Sequence, residues 1–181
     1  MKHVKQKAGA FVLLVVVAAA VLALDQYTKS LVREHLPLNE PYMPIEWLAP
    51  VVVLRHIYNT GAAFGLFPGG ATIFMGIAVL VVLGIIVYFG RMENPPILLR
   101  IAMGMQLGGA LGNFFDRLMH EGAVTDFIDV HVWPVFNVAD SGIVVGTILL
   151  AWYLLFIDRP EAEKADGRVD AGCKEGSGAS A

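Results

Sequence analysis

The chain has 181 residues, 56% of them hydrophobic and only 16% charged, and its mean hydropathy of +0.64 excludes an ordinary soluble domain. A net charge of −3, with no basic stripe interleaved with aromatics, excludes nucleic acid as a partner. The single cysteine, Cys173, excludes an intrachain disulfide, and His3, His35, His56, His120 and His131 are too scattered to read as metal ligands, so no metal and no cofactor is expected.

A bilayer core of about 30 Å takes about 20 apolar residues as a helix. The first candidate span is AGAFVLLVVVAAAVLAL, residues 8–24, preceded by Lys2, Lys5 and Lys7. Basic residues, an apolar run and small residues also describe a cleaved signal peptide. This run is longer than the usual apolar region of one, and further spans follow, so it reads as a retained helix. DQYTK, residues 25–29, follows at once. The loop over 30–70 contains the β-branched stretch WLAPVVVLRHIYN and ends in YNTGAAFG, residues 58–65, whose glycines suit close backbone approach.

The second span is ATIFMGIAVLVVLGIIVYFG, residues 71–90. After the short link RMENPP comes the third, ILLRIAMGMQLGGALGNFF, residues 97–115, the least apolar of the set. It leads into GGALGNFFDR, residues 108–117. The loop beyond carries VTDF, residues 124–127, and VHVWPVFN, which resembles a strand. A small outer β-element over the helix ends is therefore expected. The fourth span is VADSGIVVGTILLAWYLLFI, residues 138–157. Residues 158–181 are charged, rich in Gly, Ala and Ser, and aperiodic, which predicts a disordered tail behind a membrane domain over 1–157.

Basic residues orient the spans. Lys2, Lys5, Lys7, Arg91, Arg100 and Arg159 all fall on one side, which is the cytoplasmic side if the N-terminus is inside; both termini then lie there. The opposing set is Lys29, Arg33, Arg55 and Arg117. Span order then puts Asp25, Asn59, Asn113, Asp116, Asp126, Asn137 and Asp140 all at the outer ends.

Ionisable groups at membrane depth are costly and commonly functional. The bland alternative is capping: Asn137 as the N-cap of the fourth helix, Asp140 in its first turn, Asp25 paired with Lys29 at helical spacing, and Asp116 paired with a nearby Arg. The glycines at 104, 108 and 112, and at 142 and 146, follow the small-xxx-small pattern of closely packed membrane helices. Such packing brings Asn113 and Arg117 near Asn137 and Asp140. Two close carboxylates share a proton, so one can take a proton from water while the other polarises a carbonyl. That is aspartyl peptide hydrolysis. Ser141 has no evident His/Asp partners, which disfavours a serine hydrolase. A proton-coupled carrier would need ionisable groups near mid-span, where only Gln106 is polar. A non-enzymatic scaffold would use the glycine stripes and leave the outer Asp and Asn residues unexplained.

DQYTK, NTGAAFG, GGALGNFFDR, VTDF and FNVADSG, in this order among four spans, resemble the bacterial lipoprotein signal peptidases, or signal peptidase II, over roughly residues 10–157. The resemblance implies an all-α, four-span aspartyl endopeptidase of the inner membrane, with a small periplasmic β-element and its site on the periplasmic side. Its substrates would be diacylglyceryl-modified prolipoproteins, cut just before the lipidated cysteine, with membrane lipid around a monomer. It carries the catalytic aspartates onto Asp126 and Asp140. Asp25, Asn59, Gly108, Asn113, Arg117 and Asn137 match positions that line the site, orient the dyad or hold substrate. Asp116 is also a motif aspartate, read here as the structural partner of Arg117 rather than a dyad member, and Asp129 as a loop charge. Leu22, Phe64, Leu66 and Phe115 are candidates, by position alone, for an apolar wall against acyl chains.

Overall fold

A computed structural model of the chain describes residues 2–61, 70–92 and 94–157. Phe64, Leu66 and the tail after residue 157 lie outside the described residues. Among the described residues four long helices carry the fold: α1 (Lys2–His35), α2 (Ala71–Arg91), α3 (Ile97–Met119) and α4 (Val138–Trp152), the last extended by a π-helical turn over Tyr153–Ile157. Between them lie three short strands, β1 (Pro41–Tyr42), β2 (Val53–Asn59) and β3 (Val124–Asp129).

α1 runs well past the apolar stretch that announces it. At 34 residues it is about 50 Å long, more than a bilayer core requires. Among the described residues, Phe11–His35, Ala71–Arg91 and Val138–Ile157 are long and apolar enough to cross a membrane. α3 covers the expected third span and is the most enclosed helix, packing chiefly on α4 and α1 and less on α2. Its lower hydropathy follows from that central place, because its faces meet helices rather than lipid. The glycine stripe makes the approach possible. A Cβ on Gly108 would lie 2.5 Å from the Ala18 carbonyl oxygen, and one on Gly112 would lie 2.6 Å from the Asp25 carboxylate.

The apolar core sits toward one end of the bundle, where Leu14, Phe89, Leu99, Met103 and Tyr153 meet. At the other end the sheet covers the helix ends. Its order is β1-β2-β3, antiparallel throughout, with Asn59 opposite Val124, Ile57 opposite Asp126, and an irregularity between Leu54 and Ile57. α3 leads into β3 through a tight turn in which Gly122 has φ +89° and donates its N–H to the Arg117 carbonyl.

The second expected strand is displaced. VHVWPVFN does not form one; the strand is the preceding β3, and of the later stretch only Phe136 bridges to Ile128. The reasons are local. His131 has a φ of +63° and gives its N–H to the Asp129 carboxylate at 2.8 Å, which bends the chain. Pro134 has no N–H to place in a ladder.

Candidate active site

Five elements deliver polar side chains to one place: the last turns of α1, the end of β2, the C-terminal end of α3, β3, and the start of α4. On α1, Asp25 and Lys29 are one helical turn apart and bonded at 2.9 Å, as their spacing predicts. Both are fully buried, so the pair is part of the interior rather than a surface cap. Lys29 also reaches Asp116 at 3.3 Å. The other oxygen of Asp25 accepts the Ala139 N–H at 2.9 Å, which ties α1 to the first turn of α4, where the helix dipole favours a carboxylate.

Asp116 is where the structure corrects the sequence reading. Its partners are Lys29 and Arg33, the latter at 3.5 Å, and it accepts the Thr125 N–H at 2.9 Å. Arg117, its neighbour in sequence, projects elsewhere: its guanidinium lies 5.4 Å from the centre of the Phe74 ring and donates to the Asn113 carbonyl. Successive helical residues point about 100° apart, so adjacency in sequence was a poor guide. Asp129 is corrected too. It is a buried end-of-strand residue bonded to Arg55 at 3.2 Å and to the His131 N–H.

Asn137 joins the remaining residues. Its side-chain oxygen accepts the Asp140 N–H at 2.9 Å, and the Asp140 carboxylate accepts the Asn137 N–H at 3.2 Å, forming a reciprocal capping box at the start of α4. The Asn137 NH2 group donates to Asp126 at 2.7 Å and to the Asn113 oxygen at 3.1 Å. Asn113 in turn donates to Asp140 at 2.7 Å. Asn59, at the end of β2, donates to the second oxygen of Asp126 at 2.9 Å. Capping and site-building, opposed as readings of the sequence, are thus performed by the same side chain.

The environment raises the proton affinity of Asp126. Burial first, and then the Asp140 carboxylate, push it up to about 7, against the amide donors of Asn59 and Asn137 and the charge of Lys29. An apolar cleft of about 480 Å³ opens beside this cluster. Phe74, Ile77 and Val81 of α2 and Ile143 of α4 wall it, and Asn113, Arg117 and Asp140 stand at its polar rim. A second cleft, of about 410 Å³, is lined by Trp133, Phe136, Val144 and Val145 and reaches Asp140 from the other side. Of the four wall residues expected from position, Leu22 and Phe115 are absent from the lining of the first cleft, and Phe64 and Leu66 lie outside the described residues.

The structure therefore gathers Asp25, Asn59, Asn113, Asp116, Asp126, Asn137 and Asp140 into one hydrogen-bonded system, with Arg117 at the cleft rim. Gly108 lies apart, in the crossing of α1 and α3. Sequence reasoning missed Lys29, Arg33, Gln26 and Thr125 as members. Gln26 bonds Asp25, Asp116 and the Gly112 carbonyl, and Arg33 bonds Thr125 at 3.0 Å. The signal that could have found them is the spacing Asp25–Lys29–Arg33, three charges on one helical face beside an apolar span. Among the described residues, no cluster of His, Cys, Asp and Glu is arranged to hold a metal ion.

The family profile described as signal peptidase (SPase) II matches residues 17–156. The lipoprotein signal peptidase of Moorella thermoacetica is 42% identical over 138 residues, which cover 76% of this chain and 89% of that protein. That of Rhodococcus jostii is 41% identical over 157 residues, covering 84% and 77%. A solved structure of a bacterial membrane enzyme superposes with a TM-score of 0.72 at 26% identity, over 92% of this chain and 94% of that one. A second superposes with a TM-score of 0.71 at 29% identity, over 80% and 93%. With its apolar helices, the chain is a multi-pass membrane protein, and it belongs to the signal peptidase II family, peptidases of lipoprotein processing.

Proposed function

We propose that the chain is an aspartyl endopeptidase in which Asp126 and Asp140 activate one water molecule between them. It removes the signal peptide from diacylglyceryl-modified prolipoproteins by cutting before the lipidated cysteine. The observation that carries this reading is the Asn137 bridge: one residue donates to both carboxylates, through its side-chain NH2 group to Asp126 and through its backbone N–H to Asp140, at the rim of an apolar cleft.

The chemistry follows from the environments. Asp126, near 7, holds the shared proton at neutral pH. Asp140 faces the donors Asn113 and the Asn137 N–H, which suit it as the ionised partner. Asp140 takes a proton from water as the water oxygen attacks the scissile carbonyl carbon. Asp126 gives its proton to the carbonyl oxygen. The proton on Asp140 then passes to the departing amide nitrogen as the C–N bond breaks, and the carbonyl re-forms and returns a proton to Asp126.

Four spans, α3 among them, put both termini in the cytoplasm and the cluster at the periplasmic face of the inner membrane. This topology is supported by the one-sided polar cluster and the flanking basic residues. A substrate anchored by its own acyl chains presents its scissile bond at that depth, with apolar wall below and water above. The protein acts as a monomer, and residues 158–181 lie outside the catalytic domain.

The test is cleavage of a diacylglyceryl-modified prolipoprotein by purified wild type, Asp126→Asn, Asp140→Asn and Asp116→Asn, each checked for folding. The first two are expected to be folded and inert, by about 10²–10⁴-fold or more, while folded Asp116→Asn keeps activity. Cleavage by folded Asp126→Asn together with none by folded Asp116→Asn would instead pair Asp116 with Asp140. Failure of the wild type on any substrate bearing the lipidated cysteine would remove the substrate assignment.

A further inference from the structure

A fully buried lysine is rarely retained without a task. Lys29 holds two carboxylates, Asp25 and Asp116, but its third contact is neither of them. Its ammonium donates to the Asn113 side-chain oxygen at 3.0 Å. An ammonium has only donors to offer. The atom of Asn113 that faces it must therefore be the oxygen, and the NH2 group is left facing Asp140 at 2.7 Å. The Asn137 NH2 group, on the same Asn113 oxygen at 3.1 Å, reinforces that orientation.

We propose that Lys29 is a positioning residue of the dyad: it locks the Asn113 amide with its donor toward Asp140 and places a fixed positive charge one amide away from the reacting carboxylates. Without it, only the Asn137 NH2 group holds the Asn113 oxygen, and each turn of that amide costs the Asp140 carboxylate a donor and sets a repelling dipole against it.

The charges around Lys29 come from every element packed there. Asp25 and Asp116 bond it directly, from α1 and α3. Arg33 of α1 sits on the far oxygen of Asp116. Asp126 of β3 and Asp140 of α4 feel its charge, with Arg117 of α3 facing the same carboxylates. Lys29, Arg33, Asp25 and Asp116 sum to zero, so the four neutralise one another and the field at the dyad depends on how they are arranged. Lys29 favours the ionised form of Asp126; its removal makes that proton harder to lose.

The inference rests on the dyad reading, and the two fail differently. A folded, active Asp140→Asn enzyme would remove the dyad; the Lys29 assignment is judged only in an enzyme whose Asp140→Asn form is inert. The experiment is the pH profile of kcat/KM on a diacylglyceryl-modified prolipoprotein, in full-length enzyme with unfolding followed in parallel. It uses Lys29→Arg and the double variant Lys29→Gln with Asp116→Asn, which removes one charge of each sign and keeps the sum over Lys29, Arg33, Asp25 and Asp116 at zero. For the double variant the expected result is a KM close to wild type, a kcat lower by about tenfold or more, and an alkaline limb moved to higher pH. Lys29→Arg, which keeps the charge, is expected to keep the limb in place. A folded double variant with an unmoved limb overturns the proposal, whatever its kcat. If the double variant does not fold, the side-chain amide resonances of Asn113 in wild type and Lys29→Arg decide. They are expected to titrate with the activity limb in both. Full activity in Lys29→Arg with an Asn113 amide that no longer follows the limb overturns the proposal as well.

Discussion

The two ends of the helix bundle are held together by opposite means. At one end Leu14, Phe89, Leu99, Met103 and Tyr153 fill space, with the Phe11 and Phe89 rings edge to face at 5.0 Å. At the other, Asp25, Lys29, Asp116, Thr125 and Asn137 are equally enclosed, yet each is bonded across elements. Apolar packing is tolerant: a change of shape costs in proportion to the cavity it leaves. A buried polar network is not, because removing one member strands the others without water. The chain thus places its interchangeable residues where only shape matters and its mutually dependent ones in the polar cluster.

The largest expected effect that would sharpen this contrast comes from Asp116→Ala. It leaves Lys29, Arg33 and the Thr125 N–H short of a partner and is expected to cost about 3–5 kcal/mol in thermal or denaturant unfolding. A loss no greater than that of an exposed residue would break the comparison. Leu99→Ala, at the fully buried apolar end, is expected to cost about 3 kcal/mol and to leave kcat of the folded fraction within about twofold. A drop in kcat with intact folding would show that the two ends are coupled.

The third effect is pH-dependent. The folded state holds the Asp126 proton more tightly than the unfolded chain, with a pKa near 7 against 3.8. The stabilisation this gives is fully present below about 3.8 and is lost as pH rises through about 7. Relative to Asp126→Asn, which has no such proton, wild type is expected to lose roughly 2 kcal/mol of stability between about pH 5 and pH 8. A constant difference in melting temperature across that range would contradict it. The smallest effect belongs to the sheet surface: Arg55→Ala removes a partly exposed ion pair with Asp129 and is expected to cost under about 1 kcal/mol, fading in high salt.

Sequence made the spans legible because lipid imposes a crude requirement of length and apolarity. α2 begins and α4 begins where the pattern predicts, and Asn137 caps α4 as expected. α1 was harder. Its last eleven residues include Asp25, Lys29, Arg33 and Glu34, and partners on α3 and β3 explain why Lys29 is buried there and why Arg33 turns inward. Most residues of the polar cluster were legible from the motifs, but Lys29, Arg33, Gln26 and Thr125 were not, and neither was the pairing. Asp116 chose Lys29 over its neighbour Arg117, and Asp129 became a strand end, because both choices depend on contacts between segments tens of residues apart. The strand at Val124–Asp129 escaped notice for a related reason: both its faces are enclosed, so no alternation marks it.

The Asn137 bridge has a consequence for the newborn protein. Asn137 and Asp140 belong to the last of the four long helices to leave the ribosome, and its first turn has its backbone N–H groups satisfied only when Asn137 caps it and Asp25, made more than a hundred residues earlier, receives the Ala139 N–H. The event that seats the helix also brings the second carboxylate to the first. A peptidase assembled in this order completes its polar cluster only after the start of α4 has been made.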